Sequence, residues 1–142
     1  MIVLVTGGRD FADEALLYAT LDGLYEQSFF RRLIHGGCRD ADDQPFRGAD
    51  GLADRWARVF GVAIEAYPVS NAEWTRLGKK AGPLRNGLMV KRAGELANKF
   101  GVEALCVAFP GGRGTADCMR QARGARVRVL EVLVGENLVT TS

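Results

Sequence analysis

The chain has 142 residues, which fits one domain with one core, since domains run at about 150 residues. Hydrophobic residues at 47% and charged residues at 25% exclude wholesale disorder, and a net charge of +2 (19 Lys plus Arg against 17 Asp plus Glu) is too even to argue for nucleic acid or a membrane surface by charge. Glycine is in excess at 18, where average usage of about 7% would give roughly ten.

Ile2-Val3-Leu4-Val5 reads as a buried strand, ended by Thr6-Gly7-Gly8. Leu17, Leu21 and Leu24 recur at i, i+4 and i+7, so residues from about 13 to 27 form an amphipathic helix. Arg32 to His35 is a second strand, stopped by Gly36-Gly37. Leu52, Trp56 and Phe60 mark the next helix, with Gly61 placed to cap it, and residues 62–67 are a third strand. Residues 68 to about 81 show no period and read as a functional loop. Pro83 suits the first turn of a helix whose face carries Met89, Ala93, Leu96 and Phe100. Residues 104–109 form a fourth strand, ended by Pro110-Gly111-Gly112. A short helix runs to about Arg123, and residues 127–134 supply a fifth strand. The domain then spans 1–135, with a polar tail over 136–142.

Strands alternating with helices imply an α/β fold, a mostly parallel sheet of about five strands with helices on both faces. Ligands bind such sheets outside the carboxyl ends of the strands, which directs attention to residues 6–11, 36–51, 68–86 and 110–117. Three cysteines (Cys38, Cys106, Cys118), with no CxxC spacing, make neither a disulfide framework nor a zinc ribbon. The first apolar run is too short for a signal-peptide core, and no window nears 18 apolar residues, so a cytoplasmic protein is expected.

Phe109-Pro110-Gly111-Gly112-Arg113-Gly114-Thr115 leads from a strand into a helix. Its glycines admit a ligand close to the backbone, and the helix start offers N–H groups and a positive dipole end to an anion. Thr115 adds a hydroxyl and Arg113 a charge; the GK[ST] ending of a Walker A loop is absent. Thr6-Gly7-Gly8-Arg9-Asp10-Phe11 and His35-Gly36-Gly37 are further glycine loops after strands. Asp50 serves either as an acid at a helix start or as a partner for a ribose hydroxyl. Trp74 is either a core plug or a lid that stacks on a base. His35 suits a structural role better than a catalytic one, and Cys118, without a base beside it, reads as a small buried residue. Arg85 with Lys79 and Lys80 supplies a cationic wall for phosphate.

GGRDF near the start, IHGG followed by GAD and LADRWA, AEW followed by GKKAGPLRN, and FPGGRGTAD together resemble the YspA/YAcAr-type branch of the SLOG superfamily, over roughly residues 2 to 130. That superfamily groups DNA-processing protein A with the LOG phosphoribohydrolases, and the resemblance implies a Rossmann-like three-layer sandwich and a helix-mediated homodimer. The PGGRGT stretch is similar to the LOG motif PGGxGTxxE, which binds the phosphate of a nucleoside monophosphate. The motif's glutamate acts with an arginine on the N-glycosidic bond. Here the glutamate position holds Cys118, the nearest acid is Asp117, and Arg85 of Arg85-Asn86 matches the arginine. A shift of one residue on a helix rotates a side chain by about 100°, so Asp117 does not simply replace the glutamate. Where relatives have a residue or two, this chain inserts residues 38–47, whose Asp40, Asp42 and Asp43 form a solvated loop, a lid or a Mg²⁺ site; the first is favoured.

The expected site is therefore a nucleotide pocket. Pro110, Gly111, Gly112, Gly114 and Thr115 cradle phosphate, Arg113 and Arg85 neutralise it, and Gly7, Gly8 and Arg9 approach ribose or a second phosphate. Gly36, Gly37, Asp50, Trp74 and Asn86 complete the wall. The missing glutamate favours a binding module for a phosphorylated nucleotide or ADP-ribose-like ligand. The alternatives are an N-glycosidic hydrolase using Asp117 and Arg85, and single-stranded nucleic acid binding, which the even charge disfavours. No metal or cofactor is expected beyond the Mg²⁺ alternative.

Overall fold

In the computed structural model, which describes residues 1–134 and 139–141, β1 (Ile2–Thr6) runs through the middle of a six-stranded sheet. The remaining strands are β2 (Arg32–His35), β3 (Ile64–Ala66), β4 (Ala104–Ala108), β5 (Arg128–Val132) and β6 (Val139–Thr141), in the order β3-β2-β1-β4-β5-β6. The first five are parallel and are joined by four helical connections: α1 (Glu14–Gln27), α2 (Gly48–Phe60), α3 (Asn71–Leu77) with α4 (Ala81–Phe100), and α5 (Arg113–Gly124). This is the Rossmann-like three-layer sandwich that the alternation of strands and helices predicts.

Every residue of β1 is buried because the strand is covered on both faces. Its period of two divides the core. Val3 and Val5 pack with Leu17 and Leu21 of α1 and Trp56 of α2, whereas Ile2 and Leu4 pack with Met89 and Leu96 of α4 and Cys118 of α5. Each such side chain, fully buried, contributes about 1.5–3 kcal/mol. Trp56 is also anchored through Nε1, which donates to Asp22 Oδ1 at 2.8 Å. α2 ends at Gly61, as its sequence suggests; a φ of 69° there is a left-handed cap that a Cβ would strain.

Two segments differ from the sequence reading. Residues 68–81 are not an aperiodic loop: they hold α3 and a 3-10 turn over Gly78–Lys80. The reason is local, a capping box in which Ser70 Oγ accepts from the Glu73 N–H while Glu73 Oε1 accepts from the Ser70 N–H. Within the polar tail, residues 139–141 add an antiparallel edge strand to β5; the tail positions 136–138 and 142 lie outside the described residues. Among the described residues no helix is long and apolar enough to cross a membrane.

Candidate functional site

β1 and β4 are neighbours in the sheet, but their chains leave in opposite directions, to α1 and α5, and a crevice opens between the two loops. Its floor is backbone against backbone: the Phe109 N–H donates to Thr6 O and the Gly8 N–H to Pro110 O, each at 2.9 Å. A Cβ on Gly111 would overlap Thr115 Oγ1 and stand 2.7 Å from Gly8 N, so only glycine allows this approach. α5 starts here with Gly112 at its N-cap and no side chain bonded to its first amides. The first helical bond is Ala116 N–H to Gly112 O at 3.1 Å, so the amides of residues 113–115 have no acceptor inside the helix.

The resulting cavity measures about 690 Å³, within the range of about 300–1,000 Å³ for small-molecule sites. The structure brings together on its wall Gly7, Gly8, Arg9, Gly36, Asp50, Trp74, Arg85, Asn86, Pro110, Gly111, Gly112, Gly114 and Thr115. It also places there Asp10, Phe11, Cys38 and Met89, which the sequence reading leaves out. Phe11 packs on Phe109 at 5.4 Å between ring centroids, a partnership between two loops that no local pattern announces. Three expected residues are not on this wall. Arg113 is exposed, Gly37 faces an adjoining cavity, and Asp117 is turned into a bridge between α4 and α5.

That bridge explains what Asp117 does. Its Oδ2 accepts from Asn86 Nδ2 at 3.0 Å and Gln121 Nε2 at 2.8 Å, and its Oδ1 from Arg120 Nη2 at 2.7 Å. Burial alone would raise its pKa, but these three donors outweigh it and hold the carboxyl below the ordinary value. The next residue, Cys118, is fully buried beside Cys106, whose thiol is pushed well above its usual range by that sulfur contact and by burial. The position matched to the LOG glutamate is thus a core thiol.

The buried carboxyl of the cavity is Asp50, in the first turn of α2 and only 6% exposed. Its Oδ2 accepts from the Cys38 N–H at 3.0 Å, so it holds the loop after β2 rather than capping its own helix. Burial pushes its pKa up, and His35, the Cys38 amide and Arg85 offset this only in part. Arg85 lies close by, because a Cβ on Gly36 would stand 2.5 Å from Arg85 Nη1 and 3.1 Å from Asp50 Oδ2. Arg85 Nη1 donates to Gly36 O at 2.7 Å and Nε to Asn86 Oδ1 at 3.1 Å, while Asn86 Nδ2 reaches Gly114 O at 3.1 Å. The guanidinium is thereby pinned against the cavity wall through Nη1 and Nε.

His35 is buried with both ring nitrogens hydrogen-bonded inside the fold. Its Nδ1 accepts from the Gly37 N–H at 3.0 Å, which assigns the hydrogen to Nε2, and this donates to Asp54 Oδ2 at 2.7 Å. The inserted residues 38–47 close on themselves through Arg47 N–H to Cys38 O at 2.7 Å. Asp40 Oδ1 accepts from Arg9 Nη2 (3.1 Å) and Arg47 Nη1 (2.6 Å), Asp10 Oδ1 from Arg47 Nη2 (2.8 Å), and Asp42 Oδ1 from the Asn71 N–H (2.8 Å). Arginines and an amide occupy these oxygens, and among the described residues no three His, Cys, Asp or Glu groups are arranged to hold a metal ion. Lys79 and Lys80 lie in the 3-10 turn, away from the cavity wall.

The chain is 37% identical over 135 residues to the Gene 61 protein of Mycobacterium phage D29, an alignment covering 90% of this chain and 93% of that protein. No solved structure matches. The sequence pattern of the YspA, cpYpsA-related SLOG family matches residues 1–76, which include Gly7 to Phe11, Gly36-Gly37, Asp50 and Trp74. The chain therefore belongs to the YspA, cpYpsA-related SLOG family.

Proposed function

We propose that this protein is a cytoplasmic binding module, a sensor or sequestering device, for a phosphorylated nucleotide or ADP-ribose-like ligand. One observation carries the reading: the uncapped start of α5 opens into the same cavity as the pinned guanidinium of Arg85. Backbone amides at a helix start and an arginine fork are the two standard ways of holding a phosphoryl group. Gly7 and Gly8 leave room beside that phosphate for a ribose, and Trp74 offers a ring face to a base. Titration calorimetry with AMP tests this. Binding that drops at least tenfold in Arg85→Ala supports the reading, and no heat with AMP or any phosphorylated nucleotide overturns it.

Asp50 favours a second reading, hydrolysis of an N-glycosidic bond. A buried carboxyl of raised pKa beside an arginine is the arrangement of a general base. Asp50 would take a proton from water as the water oxygen bonds to C1′ of the ribosyl group. The bond from C1′ to the base nitrogen would break, and the departing nitrogen would take up the proton that Asp50 accepted, which restores the carboxylate. Release of free base from AMP, abolished in Asp50→Asn but kept in Asp117→Asn, selects this reading over simple binding. A homodimer belongs to the same proposal; α4 exposes Leu84 and Leu88, an apolar face suited to a second copy, and sedimentation reads the mass.

A further inference from the structure

A second cavity of about 360 Å³ adjoins the first, and Arg9, Cys38, Trp74 and Arg85 belong to both walls. The inserted 38–47 segment builds its far side with Arg39 and Asp40. The two compartments differ in charge. The first sets Arg9 and Arg85 against Asp10 and Asp50, whereas the second sets three guanidinium groups, Arg9, Arg39 and Arg85, against the single carboxylate of Asp40.

Arg39 and Arg9 are each held by a carboxylate pairing that a ligand anion can replace. Arg39 Nη1 donates to Asp42 O at 3.0 Å, and Nη2 pairs with Asp42 Oδ1 at 3.6 Å. The 3.6 Å pair is too long for a good hydrogen bond and Asp42 is half exposed, so Arg39 can exchange it for a ligand anion. Among the described residues the Arg9 side chain is held only by its exposed pairing with Asp40, at 58% and 56% side-chain exposure. Such a pair is worth little in water, so Arg9 can exchange Asp40 for a ligand anion.

We infer that the cavity has two anion subsites, and that its ligand is a nucleotide with a second anionic arm, its first phosphate at the start of α5 and its distal arm among Arg9 and Arg39. This rests on the phosphate-binding reading above and chooses within it: a diphosphate-linked nucleotide over a nucleoside monophosphate. Trp74, on the shared wall, stands where the two halves of such a ligand meet.

The test compares AMP and ADP-ribose by titration calorimetry in the intact chain. ADP-ribose is expected to bind at least tenfold tighter than AMP, and Arg39→Gln is expected to remove most of that advantage while AMP affinity stays within about twofold. Arg9→Ala, which disturbs no buried bond, gives the same loss of advantage through a second residue. Thermal melts of both variants confirm that the fold is intact. Equal affinity for the two ligands, or an advantage that survives both substitutions, overturns the two-subsite inference and leaves the phosphate site standing. If neither ligand binds, the phosphate-binding reading fails, and this inference with it.

Discussion

Asn86 Nδ2 lies 3.0 Å from Asp117 Oδ2, so the acid next to the glycine loop is committed to an amide on the neighbouring helix. Asn86 is 2% exposed, and its Oδ1 and Nδ2 together join Arg85, Gly114 and Asp117. Removing it strands three part-buried partners at once. Asn86→Ala should cost about 1–3 kcal/mol in urea denaturation, and AMP affinity should fall as Arg85 loses its support. The Asp117 carboxyl titrates low in the folded chain, so its stabilising effect is complete above the unfolded value of about 3.9 and is lost as pH falls through the folded one. The stability gap between the wild type and Asp117→Asn should be full at pH 7 and close in stronger acid.

Asp50 carries the opposite sign. Its folded pKa is raised, so above the unfolded value of about 3.9 the folded chain keeps a proton that the unfolded chain has released. Stability should therefore fall as pH rises from there, until Asp50 ionises in the fold, and should be level beyond. Subtracting the Asp50→Asn curve from the wild-type curve isolates this slope; a flat difference between pH 4 and 7 would show that burial does not raise Asp50.

Neighbouring glycines of the 110–115 loop should fail in different ways. A side chain on Gly111 meets Thr115 Oγ1 and the Gly8 backbone, whereas one on Gly112 meets nothing within 4 Å. Gly111→Ala should lower the melting temperature by forcing two loops apart. Gly112→Val should melt near the wild type yet bind AMP poorly, because the added isopropyl group enters ligand space. Equal melting losses in the two variants would contradict this division.

Trp74 should report binding by its fluorescence. It is 46% exposed on the cavity wall, while Trp56 is fully buried and bonded to Asp22, away from any ligand. A bound base stacking on Trp74 should quench emission, and Trp74→Phe should abolish the change while affinity falls by about 1–3 kcal/mol at most. Quenching that persists in that variant would place the ligand elsewhere.

Much of the scaffold is legible in local pattern. The four-residue apolar run Ile2 to Val5 fits a strand covered on both faces, and Leu17, Leu21 and Leu24 mark a helix with one buried stripe. The Ser70-x-x-Glu73 spacing was equally available as a helix start, and without it α3 reads as loop. What local pattern does not carry is which carboxyl ends up buried in the cavity. Asp50 is enclosed because the loop after β2 folds over α2 and donates the Cys38 amide, an event set by tertiary packing. Asp117 and Asp50 look alike in the sequence, each near a helix start; only the partners supplied by α4 and by β2 separate them. The charges on Arg9, Arg39 and Arg47 are visible in the sequence, but their division into a clasp and a second compartment is not.

The bond from Arg47 N–H to Cys38 O brings the two ends of the 38–47 segment together at a narrow neck. Whatever lies beyond such a neck can lengthen, shorten or change composition while β2 and α2 keep their places, because the loop-closure cost grows only slowly with length. In the proposed nucleotide pocket, ligand choice and scaffold would therefore be separable. The mouth of the cavity is an exchangeable part set on the glycine floor beneath it.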